Sequence, residues 1–265
     1  MLELVMDFGL LKIRLRKLAV ALAHPRCWRA LAMGVAPSVE HLAVLRSLLV
    51  DGIIDVGANR GQFTLACRLA LPNTPIVAFE PIPSEVATYR KVHGKVAIIR
   101  LVECALGEAA GAAILHLSKS ADSSSLLPIS RRQTELFRDT AEIGVLTVPV
   151  ERLDDVAALW AGRTRQLLKL DVQGFELNVL MGAVETLRLC AYVYVECSEV
   201  VLYDGQSLRA DVVAFLKFHG FRELGSFNPY YHDGRLIQAD YLFVADGLNG
   251  NWVNGLACAS GGELR

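Results

Sequence analysis

Short apolar runs alternate with amphipathic stretches along most of the chain. The apolar runs are typical of buried strands and lie at residues 53–56, 76–80, 96–102, 167–171 and 192–196. Stretches with the helical spacing of apolar positions lie at residues 38–49, 62–71, 83–92, 176–188 and 207–219. Strands that alternate with helices predict a mostly parallel sheet with helices on both faces.

The last two predicted strands depart from this alternation. Residues 221–227 and 241–244 flank a turn at 228–234, which is too short for a parallel crossover, so the pair is antiparallel. With the first of the pair parallel to the other strands, the turn emerges at their carboxyl ends. Tyr230, Tyr231 and His232 are then candidates to line a ligand cleft, with His232 as an alternative base. A hairpin tip capped by two tyrosines explains them equally.

Residues 118–144 show no regular pattern and contain a hydroxyl run that includes Ser124 and Ser125. Loops of this length in a compact domain are often lids or binding loops. We therefore predict that Ser124 and Ser125 contact a substrate, and an exposed loop without such a role is the alternative.

The first residues predict an amphipathic helix that ends before Pro25. One face carries apolar residues at alternating spacings of three and four, namely Leu4, Phe8, Leu11, Leu15, Leu18 and Leu22. We favour docking of this face on the body of the protein or on a second subunit in a homodimer. The alternative is peripheral membrane contact through residues 2–23, with basic residues facing anionic lipid. The predicted organisation is a helical extension at 1–50, one α/β domain at 51–246 and a flexible tail at 247–265.

Composition narrows the class of protein. Of the 265 residues, 53% are hydrophobic and 21% charged, which excludes a disordered chain. The net charge of -1 argues against a general nucleic-acid binder. No uncharged apolar run approaches the roughly 18 residues of a membrane span. Six cysteines without a C-x-x-C pair predict a reduced, cytoplasmic protein, and the histidine spacings support no zinc site.

The strongest chemical signal is the turn at residues 55–61, directly after the first strand. Gly57 and Gly61 permit a sharp turn with close approach of the backbone to a ligand. Asp55 ends the strand and can accept hydrogen bonds from an ammonium group. A strand-to-helix turn that needs glycine only for its geometry is the alternative.

Glu80 favours an adenosine-containing cofactor. It ends the second strand, where open α/β sheets place an acid that accepts hydrogen bonds from both ribose hydroxyls. A dinucleotide fingerprint has the pattern G-x-G-x-x-G, whereas Asn59 occupies its second glycine position here. The turn therefore suits an amino-acid moiety better than a diphosphate.

These motifs together resemble the FkbM-type S-adenosylmethionine-dependent methyltransferases. The matching stretches are residues 54–61, 79–81, 104–107, 153–155, 168–176 and 195–196, in the order of the family. The block Lys169-x-Asp171-Val-x-Gly-x-Glu176 before a helix is the most specific of them. One departure is Gln173, where the family usually has Glu.

The resemblance implies a Rossmann-like class I methyltransferase sheet of seven strands, in the order 3-2-1-4-5-7-6 with the seventh strand antiparallel. It implies that the turn after the first strand holds the methionine part of S-adenosylmethionine, that Glu80 holds the ribose, and that the segment after the third strand lies near the adenine. The cofactor residues so implied are Asp55, Gly57, Ala58, Asn59, Gly61, Glu80, Pro81, Ala105, Leu106 and Asp171.

Methyl transfer to a hydroxyl group requires a base for the hydroxyl proton. Asp171 ends the fourth strand beside the expected sulfonium, and Lys169 shares its face of that strand. We predict that Asp171 is the base or orients the acceptor, that Lys169 tunes it or holds a developing alkoxide, and that Glu196 at the end of the fifth strand is a second carboxylate. A structural ion pair of Lys169 with Asp171 is the alternative, and the two carboxylates specify no metal.

The resulting hypothesis is an O-methyltransferase that acts on a small molecule or glycan, such as a sugar, a glycolipid or a secondary metabolite. The oxygen specificity is implied by the resemblance. An NAD-dependent oxidoreductase is a second hypothesis, because Glu80 would serve its ribose equally well. A non-catalytic cofactor-binding scaffold, docked to a partner or a membrane through its first helix, is the third.

Overall fold

The computed structural model describes residues 8–248. Within this part, the α-helices are α1 (Phe8–Ala23), α2 (Pro25–Ala32), α3 (Leu42–Ser47), α4 (Gln62–Ala70), α5 (Pro83–His93), α6 (Arg131–Leu136), α7 (Glu176–Met181), α8 (Val184–Leu187) and α9 (Arg209–Phe218). The strands are β1 (Gly52–Val56), β2 (Ile76–Phe79), β3 (Ile99–Val102), β4 (Ala105–Leu106), β5 (Gly111–Ser118), β6 (Glu142–Glu151), β7 (Gln166–Leu170), β8 (Cys190–Ser198), β9 (Phe221–His232) and β10 (Arg235–Ala245).

The main sheet has seven strands in the order β3-β2-β1-β7-β8-β10-β9. β10 pairs antiparallel with β8 and β9, and the other neighbours pair in parallel. This topology confirms the predicted class I methyltransferase order. Because the parallel strands run in one direction, the residues that follow β1, β2, β7 and β8 meet at one edge.

The central strands are buried on both faces, since alternate side chains enter two separate cores. Ile54 and Leu168 pack in the core on one face, around Trp160, α7 and α9. Ile53 and Leu167 pack in the core on the other face, around α3 and Phe63 of α4. This two-residue period explains why the strand sequences are continuous apolar runs.

Two predicted irregular segments are ordered in the structure. The segment after the third predicted strand contains β4, and the predicted loop at 118–144 is bounded by β5 and β6, which pair antiparallel. With β4 they form a three-stranded sheet in the order β4-β6-β5. Its Leu115 and Val148 pack together with Ile82, so this sheet closes over the end of β2.

The prediction of a turn at 228–234 is wrong, because the ladder between β9 and β10 continues to the pair His232–Arg235. The reversal itself is limited to Asp233 and Gly234, both with positive φ. The single helix predicted at 176–188 is divided into α7 and α8, and the one at 38–49 into a 3-10 turn (Val39–His41) and α3.

The predicted amphipathic helix is present as α1, but the part of its leucine face from Leu15 onward does not dock on the protein, and the side chains of Phe8 and Leu11 lie outside the described part. Leu15, Leu18 and Leu22 are exposed, whereas Ala21 is fully buried and Lys17 pairs with Glu40 at 2.9 Å. Leu4 lies outside the described residues, as does the predicted tail from residue 249 onward. Among the described helices, none is long and apolar enough to cross a membrane.

A candidate active site of two cavities

Two cavities meet at the edge where the parallel strands end. The inner cavity lies against the ends of β1 and β2 and the small sheet, and the outer cavity lies between the end of β7 and the amino-terminal segment. Both are lined by Gly57, Asn59, Asp122 and Asp171. A ligand in one cavity is therefore in direct reach of a ligand in the other.

The turn after β1 is held against the residue that follows β7. Gly57 has φ of 77°, and a Cβ there would overlap the carbonyl oxygen of Asp171. Gly61 caps α4 with φ of 88°, and a Cβ there would overlap the ring of His93. Both positions therefore require glycine, for the left-handed backbone and for the close approach.

Glu80 closes this turn from the side of β2. Its carboxylate accepts hydrogen bonds from the backbone N–H of Asn59 and of Ile82, each at 2.8 Å. Burial raises its pKa to about 7, although both backbone donors act in the opposite direction. Each carboxylate oxygen can accept a further hydrogen bond, and Glu80 lines the inner cavity, so its two oxygens could accept from two ribose hydroxyls.

The inner cavity is narrow, with a volume of about 80 Å³. Apolar side chains form most of its wall, including those of Phe79, Leu106 and Phe175. A narrow apolar slot suits a flat base, and the remainder of an adenosyl cofactor would follow the shared wall at Gly57 and Asp171 toward the outer cavity. The residues present therefore fit S-adenosylmethionine.

Most residues predicted for the cofactor line these two cavities. Pro81, Ala105 and Leu106 line the inner one, and Ala58 lines the outer one. Ser124 and Ser125, predicted to contact a substrate, line the inner cavity instead. Ser125 donates a hydrogen bond to the carbonyl oxygen of Gln173 at 2.7 Å, so it ties the small sheet to the segment after β7.

Asp55 lies beneath the site, since it is fully buried and lines neither cavity. Its Oδ2 accepts a hydrogen bond from Thr64 at 2.8 Å, and its Oδ1 lies 3.6 Å from Nζ of Lys169. Burial raises the pKa of Asp55, and the Lys169 ammonium opposes that shift. The described geometry thus directs Asp55 to Lys169 rather than to a ligand.

Lys169 is a buried ammonium between two carboxylates. Its Nζ lies 3.3 Å from Oδ2 of Asp171 and 3.4 Å from the carbonyl oxygen of Gly57. Burial alone lowers the pKa of Lys169, but the charges of Asp171 and Asp55 outweigh it and hold that pKa above its ordinary value. Lys169 is therefore protonated at neutral pH and connects the turn after β1 with the end of β7.

Gln173 bridges the two predicted carboxylates. Its Nε2 donates to Oδ1 of Asp171 at 2.8 Å and to Oε2 of Glu196 at 2.9 Å, and its Oε1 accepts from the Tyr203 hydroxyl at 2.8 Å. Burial, followed by the charges of Asp171 and Asp240, raises the pKa of Glu196 well above its ordinary value. This bridging role could not be predicted from the sequence, because it depends on the positive φ of Gln173.

Gln173→Glu is expected to destabilise the protein most at alkaline pH. It replaces the bridging donor by a third carboxylate next to Asp171 and Glu196, and an unpaired buried group costs about 1–3 kcal/mol. Urea unfolding at pH 6 and pH 8 measures the loss in free energy of unfolding relative to the unmodified protein. This deficit should be smaller at pH 6, because protonation of the new carboxyl group restores a hydrogen-bond donor. A deficit that does not depend on pH would contradict the bridging role of Gln173. The matched control is Gln238→Glu, because Gln238 donates a single hydrogen bond to Glu196.

The outer cavity has a volume of about 310 Å³ and a polar outer wall. At this wall His41 Nδ1 lies 3.0 Å from the Tyr194 hydroxyl and 3.7 Å from Oδ2 of Asp240, which also accepts from Asn228 at 2.7 Å. Burial lowers the pKa of His41 although Asp240 opposes the shift. Spacing along the chain could not reveal His41 and Asp240, because they come from opposite ends of it.

Neither cavity is lined by Tyr230, Tyr231 or His232. The extension of β9 through His232 carries Tyr231 and His232 to the exposed tip of the hairpin, where His232 lies 3.5 Å from Asp233. Tyr230 packs on Phe137 and donates to the carbonyl oxygen of Leu136 at 3.3 Å. In their place, Asn228 is the β9 residue that reaches the outer cavity.

Known proteins are similar to this chain over most of the residues that line the two cavities. The sequence model described as "Methyltransferase FkbM domain" matches residues 55–223. The 2-O-methyltransferase NoeI of Sinorhizobium fredii (strain NBRC 101917 / NGR234) is 29% identical over 67% of this chain and 78% of its own length. The 31-O-demethyl-FK506 methyltransferase FkbM of Streptomyces tacrolimicus is 30% identical over 68% of this chain and 76% of its own length.

Among solved structures, the precorrin-6y C5,15-methyltransferase of Geobacter metallireducens GS-15 aligns over 78% of this chain and 87% of its own, with 12% identity and a TM-score of 0.44. The matched residues 55–223 contain the whole lining of the inner cavity. The outer wall of the outer cavity comes from residues outside that match, namely Lys17, Ser38, Glu40, His41, Asn228 and Asp240.

Proposed function

The chain belongs to the FkbM family of S-adenosylmethionine-dependent methyltransferases, and from this premise we propose that it methylates a hydroxyl group of a neutral, polyhydroxylated small molecule or glycan. Because the chain belongs to this family, we prefer the methyltransferase hypothesis to the hypothesis of an NAD-dependent oxidoreductase. The observation that supports the acceptor class is the polar outer cavity, which shares Asp171 with the inner one.

The outer cavity suits hydrogen-bonding, uncharged acceptors. Its lining offers both acceptors and donors, including Ser38, His41, Gln62 and Asn228. It also carries carboxyl groups in excess of cations, which would repel a phosphate or carboxylate on the acceptor. A sugar ring, alone or on a glycolipid, or a hydroxylated secondary metabolite has the matching chemistry.

Asp171 is the proposed base because it lines both cavities. When bound, S-adenosylmethionine supplies an electrophilic methyl group on a sulfonium. Asp171 would accept the proton of the acceptor hydroxyl while that oxygen bonds to the methyl carbon, and the electron pair of the broken sulfur–methyl bond stays on sulfur. Lys169 and Gln173 hold the two carboxylate oxygens in place. Positioning by the shared wall would supply the remaining acceleration.

The test is transfer of a labelled methyl group to a panel of neutral methyl glycosides, polyols, amino sugars and uronic acids. The expected result is methyl ether formation on one or more neutral members, identified by mass spectrometry. Exclusive labelling of amines would overturn the oxygen specificity, and exclusive labelling of uronic acids would overturn the electrostatic argument. Cofactor binding without transfer to any member, repeated with lipid extracts, would favour the scaffold hypothesis.

Glu80→Gln is expected to weaken S-adenosylhomocysteine binding by about 1–3 kcal/mol, because one acceptor oxygen becomes a donor. Hydroxyl donors favour the ionised carboxylate, whose pKa lies at about 7 before binding. Affinity of the unmodified protein should therefore rise between pH 6 and pH 8, and that of the variant should not. Calorimetric titration at both pH values measures this, with the exposed Glu108→Gln as control. An unchanged affinity would remove Glu80 from the ribose site.

A further inference from the structure

The outward face of α1 is apolar although it faces solvent. Leu15, Leu18 and Leu22 are 57%, 44% and 56% exposed. At about 100° per residue they lie within an arc of about 60°, on the side opposite Lys17, which faces the protein. Ordinary packing therefore does not explain why three leucines occupy this face.

The beginning of α2 extends the same apolar surface. Trp28 is 57% exposed, and its Nε1 donates a hydrogen bond to the carbonyl oxygen of Leu22 at 2.9 Å. This bond places the indole beside the end of the leucine face. An exposed tryptophan with its N–H satisfied combines an apolar body with a polar edge, which suits a boundary between water and an apolar phase.

The charged residues of α1 and α2 are all basic. Residues 8–39 contain six Lys and Arg and no Asp or Glu, whereas the whole chain has a net charge of -1. Arg16, Arg26 and Arg29 are exposed. A cluster of arginines at the rim of an apolar face is complementary to an anionic surface with an apolar interior.

We propose that α1 and α2 form a docking surface for an anionic lipid bilayer, with Leu15, Leu18, Leu22 and Trp28 inserted at the level of the headgroups. A second copy of the chain fits this surface less well, because a two-fold contact would bring arginines of one copy against those of the other. An acidic protein would complement the charge but not require an apolar face rimmed by a tryptophan.

Docking in this orientation would bring the acceptor site near the lipid. Lys17 lies on α1, pairs with Glu40 and lines the outer cavity together with it. This consequence rests on the proposed function, whereas docking itself does not. The experiment therefore measures binding to lipid without cofactor or acceptor, so that its failure leaves the proposed activity untouched.

The test is sedimentation of the full chain with vesicles of phosphatidylcholine alone or mixed with phosphatidylglycerol. Binding is expected only to the mixed vesicles and should weaken as salt increases. Leu18→Gln/Leu22→Gln should lower the partition coefficient by at least about tenfold through lost apolar burial. Arg16→Gln/Arg29→Gln should lower it by a similar factor, through lost attraction to anionic lipid.

Matched controls separate this surface from the remainder of the protein. Phe218→Gln removes the apolar side chain on α9 that is 85% exposed, and Lys91→Gln removes an exposed cation of α5; both should leave vesicle binding unchanged. Thermal unfolding checks that each variant is folded. Absence of binding to mixed vesicles, or equal binding by the leucine variant, would overturn the proposal. A dimer in light scattering that the leucine variant dissociates would assign the surface to a second copy instead.

Discussion

Lys169→Met is expected to lower the free energy of unfolding by about 3–5 kcal/mol, which is the usual cost of removing one partner from a buried ion pair. The ammonium lies within 3.6 Å of Oδ1 of Asp55, and that oxygen has no hydrogen-bond partner among residues 8–248. Without Lys169 the fully buried Asp55 is left with a charge that, within the described part of the chain, accepts a hydrogen bond from Thr64 alone. Methionine fills a similar volume, so the loss reports charge rather than a cavity.

The measurement is urea unfolding of the variant at pH 8 and pH 5, with Lys119→Met as control. Lys119 also pairs with an aspartate, Asp139, but both side chains are more than 60% exposed, and such pairs contribute about 0–1 kcal/mol. Adding Asp55→Asn to Lys169→Met should recover part of the loss. A deficit no larger than that of the control, or no recovery in the double variant, would contradict the role of Lys169.

The pH dependence of that deficit has a definite sign. Burial already raises the pKa of Asp55, and removal of Lys169 removes the strongest of the charges that oppose this shift. A carboxyl whose pKa is higher in the folded than in the unfolded state favours folding when protonated, and this contribution is lost as the pH rises through the folded pKa. The deficit should therefore be larger at pH 8 than at pH 5.

The sequence predicts the part of the site that lies at the carboxyl ends of the parallel strands. Apolar runs with acids at their ends place Asp55, Glu80, Asp171 and Glu196 at the carboxyl edge of one sheet, because parallel strands end together. The strand order is implied by the family resemblance, agrees with the same alternation, and is confirmed by the structure. Glycines at 57 and 61 were predictable for the same reason, since a tight turn must follow β1 there.

The outer cavity could not be predicted, because its wall is built from contacts distant in sequence. His41 lies in a 3-10 turn before the domain and Asp240 in the last strand, and only the completed sheet brings them together. The small sheet was missed because its strands pair across the predicted loop. In addition, β5 and β6 are each only partly buried on one face, so their apolar positions show a weak alternation. The extended hairpin was missed because Pro229 and Asn228 are typical turn residues.

The direction of the amino-terminal helix shows a further limit of periodicity. The spacing of leucines correctly predicts α1 but not which face contacts the protein. That face is set by the small Ala21, which allows close packing, and by the ion pair of Lys17 with Glu40. A hydrophobic stripe therefore identifies an apolar face without identifying its partner.

Asp171→Asn is expected to lower turnover about 10²–10⁴-fold, the range for loss of a general base, while S-adenosylhomocysteine affinity changes far less. The amide retains the shape of the carboxyl and can still accept from Gln173, but it cannot take the acceptor proton. Turnover with an acceptor that the proposed panel identifies and calorimetric affinity together separate chemistry from binding. Asp233→Asn, which replaces a hairpin carboxylate that is 90% exposed, is the matched control.

His41 is the alternative base in the same experiment, because it lines the outer cavity. Its Nδ1 is already hydrogen-bonded among the groups next to Asp240. Burial lowers the pKa of its imidazole, so the ring is a neutral proton acceptor at pH 7. Asp171 lines both the inner cavity, which fits the cofactor, and the outer cavity, whereas His41 lines the outer cavity alone, and this favours Asp171. His41→Asn should therefore raise KM more than it lowers kcat. A large fall in kcat in His41→Asn, beside a nearly active Asp171→Asn, would transfer the base from Asp171 to His41.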